Sequence, residues 1–297
     1  MPYTYHIYGL ILESELPLPE LTQATGTADI RLWTGSLERP PARVEEPWFA
    51  WTVEGMTTRL AWEGVGTFLL RDGREIVVDP DPEVAAGRLR DFLLSYILGA
   101  LLQQRGYLVM LHASAVLMHG QAVAFVGESG EGKSTMTAAF SARGFPVVSD
   151  ELVPVDVSDG ALRVWPAFSR LKLTAASALA VGCPSEALTQ IHAAEDKFGW
   201  QVAPADPESA LPLSRIYLLR SGDAHSVREA TFVEAVGGIA DQSFHKRLLA
   251  PERLRQHFLA CADLARSGRV RVLTRRRCLA ELDAVAQLVE ADVRSLA

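Results

Sequence analysis

The sequence predicts an α/β fold in which a phosphate-binding-loop core follows a β-rich N-terminal portion. Three observations predict it. Residues Gly127–Thr135 read Gly-Glu-Ser-Gly-Glu-Gly-Lys-Ser-Thr, a complete G-x-x-x-x-G-K-[ST] loop. An apolar run suited to a strand precedes that loop, and an Ala-rich segment suited to a helix follows it. Upstream of about residue 80 the chain is a succession of short β-type runs separated by turn signals.

In chain order, strands are expected at Tyr3–Leu10, Asp29–Trp33, Trp48–Val53, Thr58–Trp62, Thr67–Arg71 and Arg74–Val78, each short and rich in β-branched or aromatic residues. Asp72-Gly73 is a strong hairpin signal and Glu54-Gly55 a weaker one, while Pro40-Pro41 marks a loop. Trp33, Trp48, Trp51 and Trp62 read as core residues of these strands. Asp81-Pro82 suits the N-cap and first turn of a helix carrying Leu89, Phe92, Leu93, Tyr96, Ile97, Ala100 and Leu101 on one face and ending near Gly106. With that helix assigned to the core, the chain divides into a β-rich portion, 1–81, suited to substrate recognition, and a phosphate-loop domain, 82–297.

Strands at Leu108–Val116 and Gln121–Val126 lead into the loop, and Ser134–Ala142 reads as a short helix ending before Gly144. Gly127 and Gly132 allow the backbone to turn where a Cβ would clash, so that amides of Gly127–Thr135, through Ser129, Gly130 and Glu131, face phosphate oxygens. Lys133 supplies a cation for the β- and γ-phosphates, and Ser134 a hydroxyl for Mg²⁺. Such a pattern arises by accident in roughly 1% of chains this long.

A strand at Pro146–Ser149 ends in Asp150-Glu151. If the strands on either side of the short helix are parallel, as in a βαβ crossover, their carboxyl ends share one edge, placing the acids in the loop's crevice. Phosphoryl transfer to an alcohol requires a carboxylate to take the hydroxyl proton and a metal to spread the charge, so Asp150 is a candidate base and Ser134, Asp150 and Glu151 are candidate metal ligands. His112 stands on the preceding strand, where a lone His is ordinarily structural. Arg170, Lys172, Lys197, Lys246 and Arg247 are candidate clamps for phosphate or substrate. Further strands are expected at Arg170–Leu173, Ile216–Leu219 and Val270–Leu273, with amphipathic helices at Leu254–Leu264 and Leu279–Val293. Residues 183–212, rich in Pro, Ala and charge, read as a surface loop.

The 297-residue chain is 48% hydrophobic and 22% charged, as in ordinary globular proteins, and its net charge of −7 argues against general nucleic-acid binding. Cys183, Cys261 and Cys278 are too few and too widely spaced for a disulfide framework or a zinc site, and read as reduced core thiols. No basic segment followed by an apolar one opens the chain, and the most apolar stretch, Phe92–Leu102, is too short to span a bilayer. The expectation is a cytoplasmic protein without membrane partners.

The stretch LHASAV, AVAFVGESGEGKST and ARGFPVVSDE resembles the catalytic core of the HPr kinase/phosphorylase family, bacterial phosphate-loop kinases that phosphorylate a serine of a small carrier protein, and whose fold is shared with ATP-dependent phosphoenolpyruvate carboxykinase. The likeness is dense from Leu111 to Asp156. It implies a functional role for His112, a base role for Asp150 and a metal role for both acids, although the second acid is Glu151 where that family has Asp. The N-terminal portion is unlike that of the carrier-protein kinases. The chain is more similar to the HPr-kinase-like serine kinases found with lasso-peptide biosynthesis genes, which share a Pro-x-x-x-Arg-Leu-x-Leu element, here Pro166–Leu173, and an Asp-Lys, here Asp196-Lys197. That likeness implies Arg170 and Lys197 as substrate-binding cations.

Together these expectations describe an ATP- and Mg²⁺-dependent serine kinase acting on a peptide or small protein, such as the C-terminal serine of a lasso-peptide precursor. The rival is a nucleotide-sensing regulatory module that binds ATP without transferring phosphate. HPr kinases are oligomers, which leaves a homo-oligomer open here.

Overall fold

Short β-type runs punctuated by residues that accept a left-handed backbone assemble into one antiparallel-rich sheet at the N-terminus. Its strands are β1 (Tyr3–Ile7), β2 (Leu10–Ser14), β3 (Thr22–Gln23), β4 (Ile30–Thr34), β5 (Phe49–Glu54), β6 (Thr57–Trp62), β7 (Gly66–Arg71) and β8 (Glu75–Pro80), in the order β3-β1-β2-β4-β8-β7-β6-β5. The computed structural model describes residues 2–41, 48–157, 160–191, 196–244 and 246–295. It divides into two units, Met1–Tyr107 and Leu108–Ala297.

The hairpin between β7 and β8 turns at Asp72 (φ 53°) and Gly73 (φ 64°), and that between β5 and β6 turns at Gly55 (φ 60°). The run Tyr3–Leu10 is not one strand. Tyr8 (φ 52°) and Gly9 (φ 69°) reverse the chain, and Ile7 pairs with Leu10 across a two-residue turn. Periodicity hid this turn because Tyr8 is itself buried, at 1% exposure.

The helix begins later than Asp81-Pro82 suggested. Asp81 instead accepts a backbone bond from Val84, and the helix runs from α1 (Ala86–Phe92) through a π-helical turn at Leu93–Ile97 into α2 (Leu98–Gln104). It lies within the compact N-terminal unit, Met1–Tyr107. Polar contacts tie it there: Gln104 accepts from the Gly73 amide at 2.9 Å and donates to Thr58 at 3.0 Å, Arg105 donates to the Gly73 carbonyl, and Arg90 pairs with buried Glu20. Aromatic contacts run from Trp48 and Trp51 through Phe49 to Trp62, then to Phe92 and Tyr96. Of the four tryptophans expected in the core only Trp62 is buried; Trp33 and Trp51 are half-buried and Trp48 is 50% exposed.

In the second unit the expected strand Leu108–Val116 splits at His112 into β9 (Val109–Leu111) and β10 (Ala113–Met118). It is followed by β11 (Gln121–Val126), α3 (Lys133–Ala142), β12 (Val147–Ser149), β13 (Val153–Asp156), β14 (Arg163–Val164), β15 (Arg170–Leu173), α4 (Ala175–Ala180), β16 (Leu188–Gln190), β17 (Phe198–Gln201), β18 (Leu211–Ser221), β19 (Ser226–Glu229), α5 (Phe232–Asp241), α6 (Pro251–Arg266), β20 (Val270–Arg275) and α7 (Leu282–Arg294). The main sheet has the order β12-β10-β11-β18-β14-β13-β9, with β20 beside β18 and β19 beside β20. The segment 183–212 is more ordered than its composition suggested. It contributes β16 and β17, which join β15 in a small sheet, and the start of β18; residues 192–195 lie outside the described residues.

Both faces of β11 are buried, which is why its sequence is continuously apolar. Ala122 and Ala124 face a core that includes Ala235 and Ile239 of α5 and Ala260, Cys261 and Leu264 of α6. Val123 and Phe125 face the opposite core, with Met136 and Phe140 of α3 and Val285 and Val289 of α7. The result is a three-layer α/β/α arrangement. Among the described residues no helix is long and apolar enough to cross a membrane. The cysteines are free, and only Cys261 is buried; Cys183 is half-buried and Cys278 exposed, which corrects the expectation of three core thiols.

Candidate functional site

The loop leaves β11 at Gly127, where an added Cβ would come within 3.2 Å of Glu131 and 3.3 Å of Leu219. Gly130 (φ 83°) and Gly132 (φ 81°) lie in the left-handed region that side chains disfavour, and Gly132 caps α3. The loop thus wraps the positive end of a ten-residue helix. The Lys133 side chain folds back over it, donating to the carbonyls of Gly127 at 2.8 Å and Glu128 at 3.2 Å. Burial lowers its pKa, opposed by the charges of Glu151 and Asp150.

β11 and β12 are parallel but not adjacent: β10 lies between them and pairs antiparallel with both. Their carboxyl ends therefore share an edge, and Asp150 leaves β12 beside the loop. The Asp150 carboxylate is fully buried. Its Oδ1 accepts from Ser134 Oγ at 3.0 Å and from Ser114 Oγ, and its Oδ2 accepts from the Lys172 amide at 3.0 Å. Burial is the main reason its pKa is raised, and the neighbouring Glu151 charge adds to the effect; the three hydrogen bonds act against it.

Glu151 has a left-handed backbone, φ 77°, which is unusual for a residue with a side chain. Lys172 Nζ stands 3.5 Å from its carboxylate. Burial alone would push the Glu151 carboxyl up, but the positive charge of Lys172, aided by Lys197, helps outweigh it and the net direction is down. His112 sits at the break between β9 and β10. Its amide donates to the Gln242 carbonyl at 2.7 Å, its Nδ1 lies 3.2 Å from the Glu151 carbonyl, and its ring meets Phe244 edge to face. Burial, then the Lys133 charge, lowers its pKa, so the imidazole is neutral near pH 7.

The structure thus brings together His112, Lys133, Ser134, Asp150 and Glu151. Lys197 is exposed but close enough to act on the charges of Glu151 and Lys133. Arg170 stands two residues before Lys172 on β15, and strand alternation puts both on one face, opposite buried Leu171 and Leu173. Ser129 is exposed at the loop tip. Glu131 anchors the loop: its carbonyl accepts from Arg275, and its carboxylate pairs with Arg277, which also donates to Ser221 at 2.7 Å. Thr135 turns away from the acids and donates to Ser177 at 3.0 Å.

Sequence reasoning missed Ser114 and Arg275 and ranked Lys172 below Arg170 and Lys197. The available signal for Lys172 was alternation, since Arg170 and Lys172 must share a strand face. Ser114 had no signal, because its role depends on β10 lying between β11 and β12.

Among the described residues no group of three or more His, Cys, Asp or Glu side chains could hold a metal. Ser134 and Asp150 nevertheless present two hard oxygen donors 3.0 Å apart beside the phosphate loop. That set suits Mg²⁺, which takes one or two protein oxygens and completes its shell with water and substrate phosphates.

No family model matches the chain, and no curated protein matches it. Among solved structures it is similar to the HPr(Ser) kinase/phosphatase of Coxiella burnetii, with 13% identity over 63% of this chain and 97% of that one, and a TM-score of 0.34.

Proposed function

We propose that the chain is an ATP- and Mg²⁺-dependent phosphotransferase whose acceptor is a serine hydroxyl of a peptide or small protein. One observation carries the reading: Ser134 of the phosphate loop hydrogen-bonds Asp150, so a phosphate cradle and a buried carboxylate share one crevice.

The amides of Gly127–Lys133 and the Lys133 ammonium would bind the phosphates, and Ser134 and Asp150, with Glu151 beside them, would hold Mg²⁺. The metal, when bound, neutralises charge on the β- and γ-phosphate oxygens. An ionised carboxylate has about four lone-pair sites. Three on Asp150 accept hydrogen bonds from Ser114, Ser134 and Lys172; the Ser134 hydrogen bond would give way to Mg²⁺, leaving one site for an incoming hydroxyl. As the serine oxygen forms its bond to the γ-phosphorus, the bond from that phosphorus to the β-bridging oxygen breaks. The serine proton passes to Asp150 and ADP leaves. Its raised pKa makes Asp150 a better proton acceptor than an exposed carboxylate. Neutral His112 orients Glu151 through its carbonyl, and Lys172, Arg170 and Lys197 supply positive charge to the acceptor side. The narrower reading, a precursor peptide ending in serine, rests on the sequence resemblance of Pro166–Leu173 and Asp196-Lys197.

The test is incubation with ATP, Mg²⁺ and a peptide ending in serine, read by mass spectrometry. Phosphate on the serine is expected, together with loss of turnover in Asp150→Asn and of nucleotide binding in Lys133→Ala. ATP binding without transfer to any serine peptide would favour the sensing module instead.

A further inference from the structure

Helix α6 buries His257, Ala260, Cys261 and Leu264 and leaves its opposite face to solvent. On that face Leu259 is 51% exposed, and Phe258 and Leu254 extend the apolar surface along one flank, at 55% and 44%. An apolar patch rimmed by charge marks a docking surface. We propose that its partner is a second copy of this chain, whose α6 lies antiparallel to the first across a two-fold axis at Leu259.

The order of charges identifies the partner. Glu252, Arg255, Leu259, Asp263 and Arg266 are all exposed and fall within an arc of about 80° at 3.6 residues per turn, so they form one stripe. Glu252 and Arg266 stand seven residues to either side of Leu259, and Arg255 and Asp263 four residues to either side. Each pair is opposite in sign. A two-fold axis through Leu259 therefore sets Arg255 against Asp263 of the second copy and Glu252 against its Arg266, and both contacts recur on the other side of the axis. A parallel arrangement in register would set every charge against its own kind. The stripe carries no net charge, which suits a copy of itself and offers no attraction to nucleic acid or an anionic bilayer.

The charged groups are held ready. Arg266 Nη1 donates to Asp263 at 3.0 Å, and the Arg266 guanidinium lies 5.0 Å from the centre of the Phe232 ring. In the pair, each Asp263 lies between Arg266 of its own helix and Arg255 of the second copy. Exposed ion pairs contribute little singly, so burial of Leu259 and Phe258 drives association while the charges set its direction and register. Ala260, Cys261 and Leu264 share a core with Ala122 and Ala124, whereas α3 packs on Val123 and Phe125. The pairing helix and the helix behind the phosphate loop thus lie on opposite sides of the sheet, and the inference stands whether or not the chain transfers phosphate.

Sedimentation of the full chain over a concentration series tests it. The wild type is expected to form dimers. Arg255→Glu makes both Arg255–Asp263 contacts of the dimer repulsive, and so does Asp263→Arg; each should weaken association at least about tenfold. Mixed in equal amounts, the two variants regain opposite charges at both contacts, so they are expected to pair with each other although neither pairs with itself. Both positions are exposed, so the fold is expected to survive, as circular dichroism would verify. Leu259→Glu, which sets like charges against each other on the axis, is expected to leave monomers. A wild type that stays monomeric up to about 1 mM would assign the face to a different partner and overturn the proposal. Dimers indifferent to either charge reversal, or a mixture of the two variants that stays monomeric, would overturn it as well.

Discussion

The hydroxyl of Ser114 donates to the carboxylate of Asp150, joining the strand before the phosphate-loop strand to the end of the strand after the loop helix. This bond favours the ionised carboxylate. Ser114→Ala should push the Asp150 pKa further up, moving the acidic limb of the pH–turnover profile to higher pH. A hydrogen bond to a charged group contributes about 1.5–3 kcal/mol, so urea denaturation near neutral pH should show a loss of that order. A purely structural role would lower stability and leave the profile in place.

Asp150 itself sets two pH dependences of opposite sense. With Asp150 as the proposed base, turnover should be lost as pH falls through a pKa raised above the ordinary value of about 3.9. Folding follows the other sign. The native chain holds this proton more readily than the unfolded one, so its contribution to stability declines as pH rises from the ordinary value to the raised one. Asp150→Asn should remove that slope from a series of urea melts and abolish turnover. An unchanged slope would show that the folded pKa is not raised.

Much of this geometry was legible in the sequence for a specific reason. Val123 and Phe125 of β11 face one core and Ala122 and Ala124 the other, and Val147 and Val148 of β12 divide likewise, so both strands read as short continuous apolar runs bounded by Gly or acids. Gly132 announces a backbone that other residues avoid. The failures share a cause as well. The break at Tyr8-Gly9 follows buried Ile7 and Tyr8, and the break at His112 lies between buried Leu111 and Ala113, so hydrophobicity does not mark them. Ser114, Lys172 and Arg275 acquire their partners from strand order, which local pattern does not encode.

Lys172 offers its side chain to Glu151 and its amide to Asp150, so the two contributions are separable. Lys172→Met keeps the amide and removes the ammonium. The Glu151 pKa should rise, and kcat should fall by about tenfold to a hundredfold, at about 1.4 kcal/mol per decade. Lys172→Arg should restore part of the rate. Wild-type kcat in Lys172→Met would exclude an electrostatic role for this side chain.

The thiols should separate by reactivity. Burial pushes the Cys261 pKa up to about 11, and its side chain is fully covered. Iodoacetamide applied to the native chain near pH 8 should label exposed Cys278 and leave Cys261 untouched until denaturant is added. Prompt labelling of Cys261 would contradict its place between the sheet and α6.

At Gly73 the backbone is left-handed, and an added Cβ would come within 2.6 Å of the Arg105 side chain. Gly73→Ala should cost about 1–2 kcal/mol from the backbone alone. Gly55→Ala, at a similar φ in open space, should cost no more than that backbone amount. The difference between the two variants in chemical denaturation measures how firmly Arg105 is held against the hairpin.

The left-handed backbone of Glu151 sets selection for folding against selection for chemistry. Glycine relaxes that conformation and asparagine tolerates it, yet neither carries a carboxylate for Lys172 to pair with. A library varied at this one position and sorted for thermal resistance should enrich Gly and Asn, whereas the same library sorted for phosphate transfer should return Glu or Asp. The divergence between the two sorted pools would mark a position where a lineage gave up stability to keep an activity.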